Sequence, residues 1–282
     1  MDRWVGKVAI VTGASTGIGA GIAESLAKEG LLVVGLARRL DKLEKLSASL
    51  EGTKGKLYPR QCDVTKEDDL LNAFEWVKTE FGGIDILVNN AGVYSGTAFI
   101  DEDIKNFRKI LDVNVLATAI AIKAAVASMR SRGIAGHIIN INSINGHWIP
   151  TDESSSLYTS SKFAITAMTE TVRKELVAAG TEIKITSVSP GNVETDILNA
   201  AGVSNANDYF KSVPHLKPKD IANAVLYILG TPENVQVKNL HHTYVSCSFI
   251  DLKILRQFES DFYSNYCPQV TELTIRPVGE NI

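Results

Sequence analysis

Apolar residues in this chain fall into two patterns that alternate along most of its length. Short unbroken runs rich in branched residues, such as Val8 to Val11, give way to stretches with apolar positions three and four apart. In "KVAIVTGASTGIGAGIAESLAKEGLLVVGLARR" the first run meets a glycine turn. Ile18, Ile22, Leu26 and Ala27 then mark one face of a helix, Gly30 stops it, and Leu31 to Leu36 form a second run. Strand, turn, helix and strand make a parallel crossover unit. The unit recurs: "KLYPRQCDV" and "IDILVNNAG" predict a third and fourth strand, with "KEDDLLNAFEWVKTEFG" a helix between them that opens on acidic residues. "IKNFRKILDVNVLATAIAIKAAVASMRSRG" predicts a long helix ended by Gly133, and "GHIININSING" a fifth strand. "SLYTSSKFAITAMTETVRKELVAAG" predicts another helix, with Phe163, Ile165, Met168, Val172 and Leu176 at apolar positions, and "EIKITSVSPGNV" a sixth strand. Strands that are apolar throughout are buried on both faces. The expectation is one α/β domain over residues 1–282, a doubly wound parallel sheet with helices on both faces.

Composition narrows the function classes. The chain has 282 residues, 29 basic and 32 acidic, for a net charge of −3. That balance gives no electrostatic reason to expect nucleic acid or an anionic membrane as partner. Cys62, Cys247 and Cys267 make no disulfide framework and suit a reducing compartment. Val8 to Val11 is too short for a signal-peptide core, and no apolar run in the sequence approaches spanning length. A cytoplasmic protein without a transit peptide is expected.

Four stretches carry candidate chemistry. In "TGASTGIG", Gly13, Gly17 and Gly19 remove side chains where strand becomes helix, so that backbone N–H groups can approach a pyrophosphate; a turn packed tightly for its own sake needs the same glycines. At the end of the second strand stand Ala37, Arg38 and Arg39, with no carboxylate until Asp41. Guanidinium forks match a 2′-phosphate, which reads as NADP, although most Arg-Arg pairs are solvated surface. "NNAG", Asn89 to Gly92, offers small residues beyond the fourth strand, and Asp63 stands where an adenine contact is expected. A turn and a helix N-terminal acid are the plain alternatives. Tyr158 and Lys162 are one helical turn apart. A cation there is expected to lower the phenol from its usual pKa of about 10, and a drop of ~3 units needs about 4 kcal/mol. Tyr158 then serves as acid or base, with Ser143 holding the reacting oxygen.

Taken in order, "TGASTGIG", "NNAG", Asn114 in "DVNV", Ser143, "YTSSK" and "PGNVET" resemble the short-chain dehydrogenase/reductase family over residues 5 to about 237. The resemblance implies a Rossmann-type fold and a catalytic set of Asn114, Ser143, Tyr158 and Lys162. Tyr158 would exchange the proton, and Ser143 with Tyr158 would orient the substrate. Lys162 would lower the phenol's pKa and hold the nicotinamide ribose, and Asn114 would support a relay water. Cofactor contacts are implied at Gly13, Ser15, Thr16, Gly17, Ile18, Gly19, Arg38, Arg39, Asp63, Val64, Asn90, Ala91, Gly92, Tyr158, Lys162, Pro190, Gly191, Val193 and Thr195, with no metal. "RWVGKVAIVTGAS", "VVGLARR", "HIININSINGH" and "ELTIRPVGE" are similar to a narrower group, the member-eleven dehydrogenase/reductases and insect farnesol dehydrogenases. That group implies NADP(H) and a lipophilic alcohol or carbonyl, farnesol-like first. A broad carbonyl or hydroxysteroid (3-/17-beta) reductase and a catalytically silent nucleotide-binding isoform are the alternatives. A homodimer or homotetramer is implied. Ile197, Leu198, Val203, Tyr209, Phe210 and Val213 are expected either to form an apolar lid or to pack in the core, with Trp148 and Tyr94 near the pocket.

The pattern breaks at about 238–270, where "KNLHHTYVSCSFIDLKILRQFESDFYSNYCPQV" separates "VQV" from "TELTIRPVGE". Two of the three cysteines lie inside it. Its ends are encodable as a splice donor and acceptor, so translated intron sequence is one reading. The other is a genuine insertion, in which Phe249, Ile250, Leu252, Ile254, Leu255 and Phe258 approximate a helical stripe. His241, His242 and Cys247 lack the further ligand spacing a metal site needs.

Overall fold

The computed structural model describes residues 1–150, 155–203, 206–246 and 266–277. After a 3-10 turn at Asp2–Trp4 the chain runs through β1 (Val8–Thr12), α1 (Gly17–Lys28), β2 (Leu32–Ala37), α2 (Leu40–Ser49), β3 (Lys56–Gln61), α3 (Glu67–Phe81) and β4 (Ile86–Asn89). Next come α4 (Ile104–Ile110) and α5 (Ala117–Ser131), joined through a π-helical turn at Leu111–Leu116. They are followed by β5 (His137–Ile141), α6 (Tyr158–Ala178) and β6 (Lys184–Pro190). Two short helices, α7 (Ile197–Ala200) and α8 (Ala206–Ser212), precede α9 (Pro218–Gly230), β7 (Val235–Ser246) and β8 (Tyr266–Pro277).

The strands form one sheet in the order β3-β2-β1-β4-β5-β6-β7-β8, parallel except for β8, which pairs antiparallel with β7. Successive residues of a strand point to opposite faces, and the apolar runs supply both. Ala9, Val11, Ile86 and Val88 face α1 and α9, against Ile22, Leu26, Ile221 and Val225. Val8, Ile10 and Leu87 face α3 and α5, against Leu70, Phe74, Ile122 and Met129. The doubly wound architecture is as the sequence pattern predicts, with an antiparallel edge added. β1 pairs with both β2 and β4, so the strand order reverses there, and a crevice opens beyond the carboxyl ends of the strands.

Three features differ from expectation. α2 is not among the predicted elements, although Leu40, Leu43 and Leu46 stand three apart along it; Leu43 is buried and Leu46 packs against the core. The long helix forms, but α4, the π turn and α5 make one run, Ile104–Ser131, which contains an 18-residue stretch of mean hydropathy 1.8, long and apolar enough to cross a membrane by those measures. One side of that run packs on the sheet through Ala121, Ile122, Ala125 and Met129. Finally, the segment at 238–270 does not start beyond the sheet. Asn239 to His242 pair with Ser187 to Pro190 of β6, and "TELTIRP" lies outside them in β8. Residues 249–258 and Cys247 fall outside the described residues.

Candidate active site

The crevice is assembled first by cross-ties between strand ends. Thr12 closes β1, and its Oγ1 accepts from the backbone N–H groups of Asn90 and Ala91, each at 3.0 Å. Asn90 Nδ2 returns to the carbonyls of Thr12 (2.9 Å) and Gly13 (3.3 Å). The turn beside them requires glycine. Gly13 and Gly17 have φ of +67° and +58°, a region costly for residues with a Cβ. A Cβ on Gly19 would press into Asn90 Nδ2 and come within 2.5 Å of Gly13 O. Bare backbone and the α1 N-terminus thus face the crevice, a surface that suits a diphosphate. Ser15, Thr16 and Ile18 lie in the same turn.

Thr16 is the N-cap of α1 but makes no side-chain cap; its hydroxyl instead accepts from Arg39 Nη2 at 2.9 Å, with Ser15 Oγ at 3.4 Å. The two arginines therefore separate. Arg39 leans over the glycine loop, while Arg38 lies by Asp63. Burial works against ionisation of Asp63, but hydrogen bonds from Thr65 and the charges of Arg38 and Lys66 outweigh it, and its carboxyl stays below the usual range. Val64 packs against the core beside it. Across the loop, Thr195 would touch a Cβ on Gly17 at 3.1 Å, so the segment Pro190, Gly191, Val193, Thr195 folds over the same crevice. The predicted contacts on all five strand ends converge there, and the donor set fits a nicotinamide dinucleotide.

Ser143 follows β5 and Tyr158 opens α6. A chain of amide and hydroxyl bonds fixes one to the other. Asn89 Nδ2 donates to Asn140 Oδ1, Asn140 Nδ2 to Thr169 Oγ1, and Asn142 Nδ2 to Thr166 Oγ1, each at 2.9 Å. Ser143 is buried, accepts from Asn145 N at 3.1 Å, and hydrogen-bonds Tyr158. Lys162 is buried with Nζ 3.0 Å from the carbonyl of Ile141 and 5.5 Å from the centre of the Tyr158 ring. Tyr94 meets the other side of that ring edge-on at 5.2 Å.

The electrostatics reverse one expectation. Part of the Tyr158 ring is open to solvent, but its hydroxyl lies deep among protein atoms. Burial pushes the phenol up to about 12; Tyr94 adds to the rise, and the Ser143 hydrogen bond opposes it. Lys162 is itself drawn down to about 8 by burial. Placed over the ring and held by Ile141, the ammonium does not overcome desolvation of the phenolate.

Asn114 sits in the π turn, and such turns recur at functional sites. Its Oδ1 accepts from Val93 N at 2.8 Å, and its Nδ2 donates to Val93 O and Ser161 Oγ, both at 3.0 Å. The side chain ties the β4 loop to α6, and the Asn114 carbonyl accepts from Thr118 Oγ1 at 2.9 Å. Thr12 and Ser161 were visible inside the motifs but carried no signal of these roles. Val203 lies close to Gly96 beside Tyr94, Phe210 is buried and Tyr209 is exposed. Trp148 is exposed.

A parallel sheet with a glycine turn at its switch point and a serine, tyrosine and lysine beside it is the arrangement of an oxidoreductase of the short-chain type. The pattern of the short chain dehydrogenase family matches residues 7–205, and the chain belongs to that family. It is 48% identical over 242 residues to a farnesol dehydrogenase from Aedes aegypti, covering 85% of this chain and 96% of the relative. It is 42% identical over 246 residues to dehydrogenase/reductase SDR family member 11 from Gallus gallus, with the same coverage. Among solved structures, an alcohol dehydrogenase from Thermococcus sibiricus complexed with 5-hydroxy-NADP is 28% identical, with a TM-score of 0.74 over 83% of this chain and 95% of that one. A family member from Burkholderia phymatum in complex with NAD is 25% identical, with a TM-score of 0.75 over 81% and 87%.

Proposed function

We propose that this chain is a cytoplasmic NADP(H)-dependent enzyme that interconverts a lipophilic alcohol, farnesol-like, and its carbonyl. The observation that carries the reading is the buried Tyr158 hydroxyl bonded to Ser143, with Lys162 on the same helical face and the glycine loop alongside. The dinucleotide supplies the hydride. Ser143 holds the substrate oxygen by its hydroxyl. Tyr158, protonated at neutral pH by its raised pKa, donates to that oxygen as the carbonyl is reduced. Lys162, at about 8, holds a proton that exchanges near physiological pH, and it would hold the ribose of a bound dinucleotide. Asn114 keeps α6 seated against the β4 loop and supports a relay water. Arg39 supports the 2′-phosphate choice, and Tyr94, Gly96 and Val203 form an apolar rim that supports a lipophilic substrate.

Assembly as a homodimer or homotetramer has a candidate face in the groove of about 400 Å³ between α5 and α6, lined by Ile122, Val126, Met168 and Val172. One observation favours the silent-isoform reading: Asn239 to His242 occupy the seat beside β6, the strand that leads into Pro190 and the cofactor loop.

Turnover of farnesol with NADP⁺ and NAD⁺, compared with reduction of steroids and small carbonyls, tests these assignments. Farnesol oxidation preferring NADP⁺, lost in Tyr158→Phe with NADPH binding intact, is the expected result. Faster steroid or carbonyl reduction overturns the farnesol choice. Tight NADPH binding without turnover of any of them supports the silent isoform, and full activity in Tyr158→Phe refutes the acid/base assignment.

A further inference from the structure

His147 ends the 3-10 turn Ile144–Gly146, which Ser143 caps at its start. Such turns are short and their hydrogen bonds poorly aligned, so contacts from outside decide how firmly one is held. This turn is gripped on two sides. On the α6 side, Thr166 Oγ1 donates to Gly146 O at 2.9 Å, and a Cβ on Gly146 would come within 2.8 Å of Lys162 O. On the other side, His147 Nε2 and Ser189 Oγ are hydrogen-bonded at 2.8 Å, and Ser189 is fully buried in β6 just ahead of Pro190. The His147 ring also packs against the ring of His241, with centroids 4.1 Å apart and planes inclined by 44°. His241 is buried, and in β7 it pairs in register with Ser189. It belongs to the segment at about 238–270 where the sequence pattern breaks. Joining Val237 to Thr271 would bring Thr274 to that register position, with no ring to offer.

We propose that His147 is a positioning residue for Ser143 and that His241 holds it in place, so that the added segment reaches the site through two imidazole rings. The bond to Ser189 fixes the tip of the His147 side chain to β6, and the ring of His241 closes the space beside it. With Thr166 holding Gly146 from α6, the turn cannot slide, and Ser143 Oγ stays where Asn145 N donates to it at 3.1 Å. The inference rests on Ser143 being the group that holds the substrate oxygen. The anchoring of its turn does not depend on the substrate.

The test uses the full chain. Farnesol turnover, NADPH binding by fluorescence and backbone hydrogen exchange by mass spectrometry are measured for His147→Ala, His147→Gln, His241→Thr, His241→Phe and the His147→Ala/His241→Thr double variant. Glutamine puts an amide where Nε2 stands, and phenylalanine keeps a ring. Misplacing a reacting group by about 1 Å costs as much as ~100-fold in rate. His147→Ala is therefore expected to lower kcat about 10- to 100-fold, and His241→Thr about 3- to 10-fold, with NADPH affinity unchanged. His147→Gln and His241→Phe each recover most of the loss. The double variant is no slower than His147→Ala, because His241 acts only through His147. In His147→Ala and His241→Thr the amides of 144–148 exchange about 10-fold faster while those of β1 and α9 keep their rates, a local opening that a general loss of stability would not give. Wild-type kcat with wild-type exchange at 144–148 in His241→Thr, or losses that simply multiply in the double variant, overturns the proposal. Should His147→Ala fail to fold, His241→Thr decides by the same two readings. The exchange needs no substrate. A wild-type chain without turnover whose variants loosen the turn therefore sinks the proposed reaction and keeps the anchor, and an active wild type whose variants leave the turn unmoved does the reverse.

Discussion

Replacing Gly19 by alanine adds one methyl group where the glycine loop crosses the β4 loop. The new Cβ would come within 2.5 Å of Gly13 O and 2.9 Å of Gly13 C, and it would also press into Asn90 Nδ2. Asn90 is a side-chain tip and can turn, but only by giving up its bonds to Thr12 O and Gly13 O. Gly13 is backbone, held in a left-handed conformation at φ of +67°, and cannot turn away cheaply. Overpacking of this kind costs about 1–3 kcal/mol. Alanine is favoured over glycine within a helix by about 1 kcal/mol, which offsets part of the loss in stability but does nothing for the shape of the loop. If the strain is taken up by displacing the two loops, NADPH affinity falls by about 5- to 150-fold, at about 1.4 kcal/mol per factor of ten. Fluorescence titration with NADPH and a melting curve on the same sample measure the two effects separately. Wild-type affinity with a wild-type melting temperature would refute the reasoning, because it would mean that the loop absorbs a methyl group without cost.

Three other outcomes follow from the same geometry. Arg39→Ser removes a charge-assisted contact of about 1.5–3 kcal/mol and should lower kcat/KM for NADPH by about 10- to 150-fold while sparing NADH. Arg38→Ser should do less, and equal losses with both cofactors would count against the 2′-phosphate assignment. His137 is buried against Thr186 Oγ1 at 2.9 Å, and burial, then Lys184 and Arg3, pull its pKa down to about 3. Below pH ~6.5 the unfolded chain takes up a proton that the folded chain refuses. Stability should therefore fall as pH drops from about 6.5 toward 3, and His137→Gln should flatten that limb by up to one proton in denaturant titrations. An unchanged slope contradicts this. Joining Val237 to Thr271 places Leu273 where Leu240 stands beside Val188, and a soluble chain with one cooperative melt is expected. Aggregation would show the segment to be indispensable, and RNA sequencing that finds it in every transcript would end the intron reading.

The strand and helix pattern was legible because β1, β2 and β4 are apolar along nearly their whole length and the helices between them carry apolar stripes. α2 escaped although Leu40, Leu43, Leu46 and Leu50 fall at helical spacing. The glycine turn was legible as well, because residues that lack side chains mark a shape that neighbours need not supply. The phenol's acidity was not. Spacing puts Lys162 on the same face as Tyr158, but whether an ammonium or the loss of water dominates depends on depth, and depth comes from Tyr94, Ser143 and the β5 end, which are distant in the chain. Asn114 was identified by family likeness, yet nothing local announces a π turn. The break at 238–270 was legible only as a change of composition. How β7 would absorb it was beyond periodicity, since "KNLHHTY" and "TELTIRP" suit the same strand.

The π turn makes the stretch Leu111–Leu116 intolerant of changes in length. Successive residues of a helix are set about 100° apart. Deleting one residue there would restore a regular helix, yet it would swing Asn114 off both Val93 and Ser161, or else rotate α5 out of its seat on the sheet. Substitutions in this stretch test individual contacts, whereas a single-codon deletion tests the phase of everything downstream. A deletion scan of the gene should therefore show a sharp trough here, flanked by milder losses in the exposed turns at Gly52 and Gly133.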